Sequence, residues 1–487
     1  MLFNSLEFAI FLPIVFFCYW FIFNHSLRLQ NLFLLTVSYI FYGWWDYRFL
    51  VLIALSSLID FFVGLLICNS QSPKVKKIFL YISLSVNIGL LGIFKYYNFF
   101  VESWIEAWSM IGYNMTPSTL HIILPVGISF YTFQTLSYTI DVYKGKIKHT
   151  KNIIAFFAFI SFFPQLVAGP IERASNLLPQ FCNFRVFQYK KSIDGAFQVL
   201  WGLFKKVVIA DNCAFFVNKV FESPDLYSSG MLFLTMIFFA FQIYGDFSGY
   251  SDIAIGISKL FGFSLKINFS YPYFSRNIGE FWRRWHISLT SWFKDYIYIP
   301  LGGSRKNISN QIRNTFIIFI ISGFWHGANW TFIFWGIYNA FLFLPSLITK
   351  NNRRYLSIVG SNKSSVELSD FLKIIFNFIL VCFGWVIFRS DSMSQAFLFY
   401  KNVLKLPSFD LFIYDLKILS QEGNIIYTTL FCLLFTMLEW ISREKVHALQ
   451  MINRSKKSWM IILLSYFILF SILFYPGSKE NFIYFQF

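Results

Sequence analysis

Runs of about 20 predominantly apolar residues recur along this chain, and they constrain its fold more than any other feature. Hydrophobic residues make up 56% of the 487 residues and charged residues only 13%, which is too much apolar surface for one soluble core. Such runs are typical of helices that cross a lipid bilayer, and we expect roughly ten to twelve of them. Strict alternation of apolar and polar residues is absent, which disfavours a transmembrane barrel. The sequence therefore predicts an all-α polytopic membrane protein.

The net charge of +17 resides in short loops between the apolar runs. This is the positive-inside pattern of membrane proteins, so the charge does not indicate nucleic-acid binding. The rule places the loop with Arg28 and the basic segment 443–457 in the cytoplasm, and both chain ends outside. The first apolar run, residues 8–23, has no basic segment before it and no cleavage site after it, so we interpret it as a retained span. The six cysteines are scattered without CxxC spacing and indicate neither a disulfide framework nor a metal site.

The apolar run from about residue 315 to residue 344 contains a single group that titrates near neutral pH, His326. Basic residues flank the run on both sides, and its helical length of about 45 Å is long for one span and short for two. A broken or re-entrant helix pair with Gly323 and Gly327 at the break fits this length. Non-helical backbone at membrane depth requires a protein-lined or wet cavity. We therefore expect His326 on an internal cavity, where it would be either a structural histidine or a proton-transfer group.

A second block, residues 281–296, has the periodicity of one amphipathic helix. Trp282 and Trp285 belong to its apolar face, and Arg283 and Arg284 belong to its polar face. His286 lies on the apolar side, next to the basic face, and fits a structural or a functional role. Such a helix lies along a membrane surface or caps a helix bundle.

Asp246 lies inside another apolar run. A carboxylate at this depth can belong to a proton or ion pathway, or it can cap a helix break. The chain has no GxSxG nucleophile motif, P-loop, dinucleotide fingerprint, HExxH or EF-hand pattern. A hydrolase triad is therefore disfavoured.

Five sequence blocks, taken together and in order, resemble one family. They are FYGWWD at 41–46, WRRWH at 282–286, YIPLGGS at 298–304, FWHGAN at 324–329 and GWVIFR at 384–389. The pattern is similar to that of the membrane-bound O-acyltransferases (MBOAT family). It resembles most the bacterial branch with the alginate O-acetylation membrane protein, the peptidoglycan O-acetyltransferase and the teichoic-acid D-alanylation acyltransferase. The resemblance covers essentially the whole chain, so we expect one MBOAT domain over residues 1–487.

The resemblance implies an all-α fold in which the spans, with re-entrant and amphipathic helices, surround a central tunnel. It also implies that His326 is the catalytic histidine and that His286 is the second family histidine. A neutral imidazole can take the proton of an acceptor hydroxyl while that hydroxyl attacks a thioester, which is typically worth about 10²–10⁴-fold in rate. Further residues are candidates for the tunnel wall: Trp325, Asn329, Trp282, Trp285 and Asp246.

The function implied by the resemblance is O-acyl transfer in the bacterial cytoplasmic (inner) membrane. An acyl group, expected to be acetyl, would pass from a cytoplasmic thioester such as acetyl-CoA across the membrane to O-acetylate alginate, peptidoglycan or another extracytoplasmic polysaccharide. The expected partners are membrane lipid, the polysaccharide acceptor and an exported SGNH-type acetyltransferase, without a metal or a nucleic acid. Two alternatives are a transporter or flippase for a glycan precursor, and a structural scaffold for glycan export.

Residues 476–487 form a C-terminal tail with the pattern Phe482-x-Tyr484-x-x-Phe487. This pattern resembles a C-terminal motif of the same bacterial branch. The resemblance implies that Tyr484 receives the acyl group at the outer mouth of the tunnel. The alternative is a frayed end whose aromatic residues anchor it at the membrane interface.

Overall fold

The computed structural model describes residues 1–116, 123–167, 169–305, 307–361, 366–450, 458–480 and 482–483. Within these ranges all regular secondary structure is helical. The predicted all-α class is therefore confirmed.

The first half of the chain forms helices α1 (Leu6–Phe17), α2 (Leu27–Gly43), α3 (Leu50–Asn69), α4 (Pro73–Leu91), α5 (Tyr97–Ser109), α6 (Ile128–Tyr143), α7 (Ile153–Ser161), α8 (Phe163–Leu166), α9 (Ala174–Cys182), α10 (Tyr189–Leu203) and α11 (Asp211–Glu222). The second half forms α12 (Ser229–Leu260), α13 (Ile278–Arg284), α14 (Ile287–Phe293), α15 (Ile308–His326), α16 (Trp330–Ile348), α17 (Leu368–Arg389), α18 (Met393–Val403), α19 (Phe409–Glu422), α20 (Ile425–Ser442) and α21 (Ser458–Phe474). A π-helical segment, Phe204–Ala210, joins α10 to α11.

Several helices are long and apolar enough to cross a bilayer. In the described part of the chain, six meet this standard: Tyr47–Asn69, Pro73–Ser109, Ser229–Leu260, Trp330–Ile348, Leu368–Arg389 and Ile425–Ser442. Three further apolar helices are shorter: Leu6–Ile22, Ile153–Leu166 and Trp459–Phe474. The protein is thus a multi-pass membrane protein, while the count of ten to twelve spans and the central tunnel stay predictions.

The described chain forms two compact units, and their boundary falls within α10 and α12. The first unit comprises residues 1–196 and 254–266, and the second comprises residues 197–253 and 267–487. In the first unit, the buried carboxylate of Asp60 in α3 accepts hydrogen bonds from Ser83 and Asn87 of α4 and from Thr139 of α6. Because a polar group inside apolar helices needs such partners, this network fixes the three helices against each other.

In the second unit, α15 and α16 form the broken helix pair that the length of the apolar run predicts. The break begins at Gly327, and Asn329 caps α16 by accepting a hydrogen bond from the backbone N–H of Thr331 at 3.0 Å. Gly323 was predicted to lie at the break together with Gly327, but it lies inside α15. A Cβ atom at this position would lie 2.1 Å from the carbonyl oxygen of Phe332 in α16. Gly323 therefore permits the close approach of the two helices.

Gly323→Ala is expected to destabilise the protein by about 1–3 kcal/mol, because the added methyl group meets rigid backbone of α16. Gly89→Ala in α4 is the matched control, since a Cβ atom there meets nothing within 4 Å. The measurement is the thermal midpoint of each detergent-solubilised variant. Equal midpoints for the two variants would contradict the close packing at Gly323.

The predicted single amphipathic helix over residues 281–296 is wrong in one respect. Trp285 and His286 interrupt it, so that α13 and α14 are separate short helices. His286 has φ 44° and ψ 54°. A non-glycine residue in this left-handed conformation costs about 1–2 kcal/mol, and packing around the residue must hold it there. The predicted apolar positions Trp282 and Trp285 are both buried.

Candidate functional site

Two histidines from different elements meet in the interior of the second unit. His326 is the last residue of α15, and His286 precedes the first residue of α14. Their ring centroids are 6.5 Å apart, and the ring planes are inclined by 68°. Both side chains are buried, with 3% and 1% of their surfaces exposed. The structure therefore brings together the two histidines that the sequence blocks suggested.

Aromatic side chains surround the two imidazoles. All distances are measured between ring centroids. Trp325 packs against both histidines, 5.8 Å from His286 and 5.0 Å from His326. Trp335 and Phe388 lie 5.1 Å and 5.3 Å from His326, and Phe247 lies 4.6 Å from His286. We call these four residues the aromatic pocket. An apolar environment of this kind strengthens electrostatic interactions with a reacting group.

The His286 imidazole is held in its neutral form. Residues 278–298 lie outside the candidate spans. Burial lowers the pKa of His286 to about 3, so the ring carries no charge at pH 7. A neutral imidazole has one N–H donor and one acceptor nitrogen, and neither ring nitrogen bonds to another described residue. His286 can therefore orient a polar group of a bound substrate.

Trp282 and Trp285 form a second layer behind the histidines. The Trp282 ring packs against Phe319 and Trp335 at 5.4 Å and 5.7 Å. The Trp285 ring packs against Trp385 at 4.9 Å. These two tryptophans, predicted to line a tunnel, hold the aromatic pocket and the helix break at His286 in place.

The side chain of Asn329 serves the backbone. Its oxygen caps α16, and its nitrogen donates to the carbonyl oxygen of Asp391 at 2.9 Å. Asn329 therefore fixes the chain three residues after His326, where the broken helix pair turns.

Asp246 lies within the continuous helix α12 and caps no break. Its carboxylate forms an ion pair with Lys206 at 2.8 Å, and Lys206 forms a second one with Asp211 at 2.8 Å. The next residue along α12, Phe247, belongs to the aromatic pocket. Asp246 is thus part of a buried ion cluster beside that pocket.

Two buried lysines of the π-helical segment were not predicted from the sequence. Lys205 forms ion pairs with Asp252 at 2.9 Å and with Glu439 at 3.5 Å, and its neighbour Lys206 binds Asp211 and Asp246. The signal was present in the sequence, because adjacent lysines inside an otherwise apolar segment require buried partners. Among the described residues, no group of three or more His, Cys, Asp or Glu side chains is placed to hold a metal ion.

The tail residue Tyr484 lies outside the described residues, whereas Phe482 and Ile483 are described and buried. The Phe482 ring packs against Tyr250 at 4.5 Å and against Phe247 at 5.9 Å. Phe247 in turn contacts His286. The tail therefore reaches the side of the aromatic pocket.

The match to known families covers both histidines. The family model for membrane-bound O-acyltransferases matches residues 146–389. The chain belongs to this family. Both His286 and His326, together with the aromatic pocket, lie within the matched residues, so the MBOAT resemblance is confirmed.

Similar proteins of known name agree with this assignment. The probable alginate O-acetylase AlgI of Pseudomonas aeruginosa is 39% identical over 79% of this chain and 71% of its own length. The peptidoglycan O-acetyltransferase of Helicobacter pylori is 33% identical over 100% of this chain and 98% of its own length. The teichoic acid D-alanyltransferase of Bacillus subtilis is 28% identical over 55% and 69%. This MBOAT chain is thus a membrane O-acyltransferase, and the transporter and scaffold alternatives gain no support.

Proposed function

We propose that this MBOAT protein transfers an acetyl group from a cytoplasmic thioester, acetyl-CoA, across the bacterial cytoplasmic membrane for O-acetylation of an extracytoplasmic polysaccharide. The observation that carries the proposal is the pair of buried histidines, 6.5 Å apart in an aromatic pocket of an O-acyltransferase. The names of the relatives point to alginate, peptidoglycan or a related glycan as the final acceptor.

His326 is the general base in this proposal. Its imidazole takes the proton of the acceptor hydroxyl while the hydroxyl oxygen attacks the thioester carbonyl. A C–O bond forms, the C–S bond breaks, and the proton passes from His326 to the departing thiolate. His286, which is neutral at pH 7, donates its N–H to the developing oxyanion or to the acceptor oxygen.

Tyr484 is the first acceptor in the proposed relay. Its phenol would receive the acetyl group, and an exported SGNH-type partner would then move that group to the polysaccharide. The contact chain from Phe482 through Phe247 to His286 supports this role, because it brings Phe482, two positions before Tyr484 in the sequence, beside the pocket. With both chain ends outside, as the loop charges predict, the ester would form on the side of the membrane where the glycan lies.

Tyr484→Phe is expected to reduce ester-linked acetate in envelope glycans to the level of a deletion strain, because the ring remains and the nucleophilic hydroxyl is removed. Tyr475→Phe is the matched control. It removes a tyrosine hydroxyl that donates to the carbonyl oxygen of Asn424 at 3.0 Å, and it should leave acetylation unchanged. Acetate is quantified after mild base treatment of each purified glycan from complemented deletion strains. Undiminished acetate with Tyr484→Phe would rule out the relay.

A further inference from the structure

The tail segment, residues 475–480 and 482–483, is held by its main chain inside the second unit. Four of its main-chain groups make hydrogen bonds to α11, α12 or the π-helical segment. The Tyr475 C=O accepts from Asn212 Nδ2 at 3.3 Å, and the Gly477 N–H donates to the Val207 C=O at 3.0 Å. The Glu480 C=O accepts from Lys206 Nζ at 3.1 Å, and the Ile483 N–H donates to Asp246 Oδ2 at 2.6 Å. Because main-chain groups of the segment make these bonds, they fix its register against the neighbouring helices independently of its side chains.

The Lys206 ammonium needs the tail to complete its hydrogen bonds. An ammonium group has three N–H donors. That of Lys206 forms ion pairs with the carboxylates of Asp211 and Asp246, both at 2.8 Å, and donates a hydrogen bond to the Glu480 carbonyl oxygen at 3.1 Å. The Lys206 side chain is only 1% exposed, so water does not replace a missing partner at low cost. The docked tail thus completes the coordination of a buried cation.

Gly477 lets the tail approach the π-helical segment closely. A Cβ atom at this position would lie 2.4 Å from the carbonyl carbon of Asp211 and 2.5 Å from the backbone nitrogen of Asn212. Backbone atoms cannot move aside as a flexible side chain can. The same Cβ atom would lie 2.6 Å from the Asp211 Cβ atom, so a larger residue at position 477 would push the tail away from Asp211 while keeping all three charged groups of the cluster.

We propose that Lys206, Asp211 and Asp246 form a receptor that docks the tail segment beside the aromatic pocket and so serves to position residue 484 for the reaction. Lys206 and Asp246 are positioning residues in this inference. The function assigned to docking rests on the proposed acetyl relay. The docking itself rests on the contacts of the tail segment.

The test compares Asp246→Asn with Asp252→Asn. Both carboxylates lie on α12, both are buried, and each is paired with a buried lysine that retains a second carboxylate after the substitution. Of these two carboxylates, Asp246 accepts a hydrogen bond from the described part of the tail segment and Asp252 does not. Each variant also carries Ile483→Cys, because residue 483 is 3% exposed and is reached by a thiol reagent only when the tail leaves its site. Labelling at position 483 is read by peptide mass spectrometry on detergent-solubilised protein.

Asp246→Asn is expected to speed labelling at position 483 by about ten- to a hundredfold, because the bond from the Ile483 N–H loses its charged acceptor and Lys206 loses one of its two carboxylates. Gly477→Val should do the same although all three charged groups of the cluster are retained, and Asp246→Glu should restore protection. Asp252→Asn should label like the parent, and all variants should elute as a single species. Glycan acetate should fall with Asp246→Asn and Gly477→Val and persist with Asp252→Asn.

The two proposals fail in different ways. Equal labelling of position 483 in Asp246→Asn, Gly477→Val and the parent would overturn the receptor, whatever Tyr484→Phe does. Faster labelling in both variants, together with undiminished acetate in Tyr484→Phe, would keep the receptor and overturn the acetyl relay.

Discussion

Replacing His326 with Gln is expected to lower the rate of acyl transfer by about 10²- to 10⁴-fold, which is the usual contribution of a general base. Glutamine keeps a hydrogen-bonding side chain of similar reach, but it cannot accept a proton near neutral pH. Because His326 lies at the end of α15 among aromatic side chains, the substitution should disturb packing little. The thermal midpoint should therefore stay close to that of the wild type.

The measurement is acetyl-thioester consumption by purified protein in detergent, with glycan acetate in a complemented deletion strain as the cellular counterpart. His447→Gln is the control, since His447 is also a buried histidine of the second unit and follows α20 in the chain. It should retain activity. A folded His326→Gln protein that transfers acyl groups at the wild-type rate would show that His326 is structural.

The sequence predicted the break at His326 for a physical reason. A bilayer fixes the length of a span, so an apolar run of intermediate length flanked by basic residues must break. The structure breaks this run at Gly327, four residues after Gly323. The role of Gly323 was not predictable, because it depends on the carbonyl oxygen of Phe332, and the approach of two helices is a tertiary property.

The break at His286 was hidden by periodicity. Trp282 and Trp285 before the break and Leu289 after it all satisfy one helical repeat. Histidine is enriched in the left-handed region, but it also occurs within helices, so it does not by itself mark a break. The conformation at His286 is imposed by packing against Phe247 and Trp325. The helical pattern left the role of His286 open, the resemblance to a family favoured a functional one, and the structure supplied its contact with His326.

The ion clusters show a second limit of sequence reasoning. The sequence makes Asp246 a candidate functional residue because a carboxylate in an apolar run is costly. Its partners, however, come from the π-helical segment and from the tail segment, which are distant in sequence. Periodicity describes one element at a time and therefore does not report such pairings.

Lys205→Met is expected to destabilise the protein by about 3–5 kcal/mol, because it leaves the buried carboxylates of Asp252 and Glu439 without their cation. Methionine retains most of the apolar stem, so the loss reports charge more than packing. Among the described residues, the Glu439 carboxylate would keep the hydrogen bond from the Tyr244 hydroxyl, at 2.8 Å, but no cation. The thermal midpoint in detergent should fall clearly, and expression with it.

Neutralising the carboxylates as well separates ion pairing from packing. The combination of Lys205→Met, Asp252→Asn and Glu439→Gln keeps the shapes and removes all three charges, and it should recover much of the lost stability. If it recovers none, the contacts of the Lys205 ammonium with the Trp201 and Tyr244 rings, at 5.6 Å and 5.4 Å, carry the stabilisation instead. A Lys205→Met protein that melts like the wild type would show that the pairing offers no net stability. In that case the charges of this cluster would not be explained by stability, in contrast to those of the neighbouring Lys206 cluster, which contacts the tail segment.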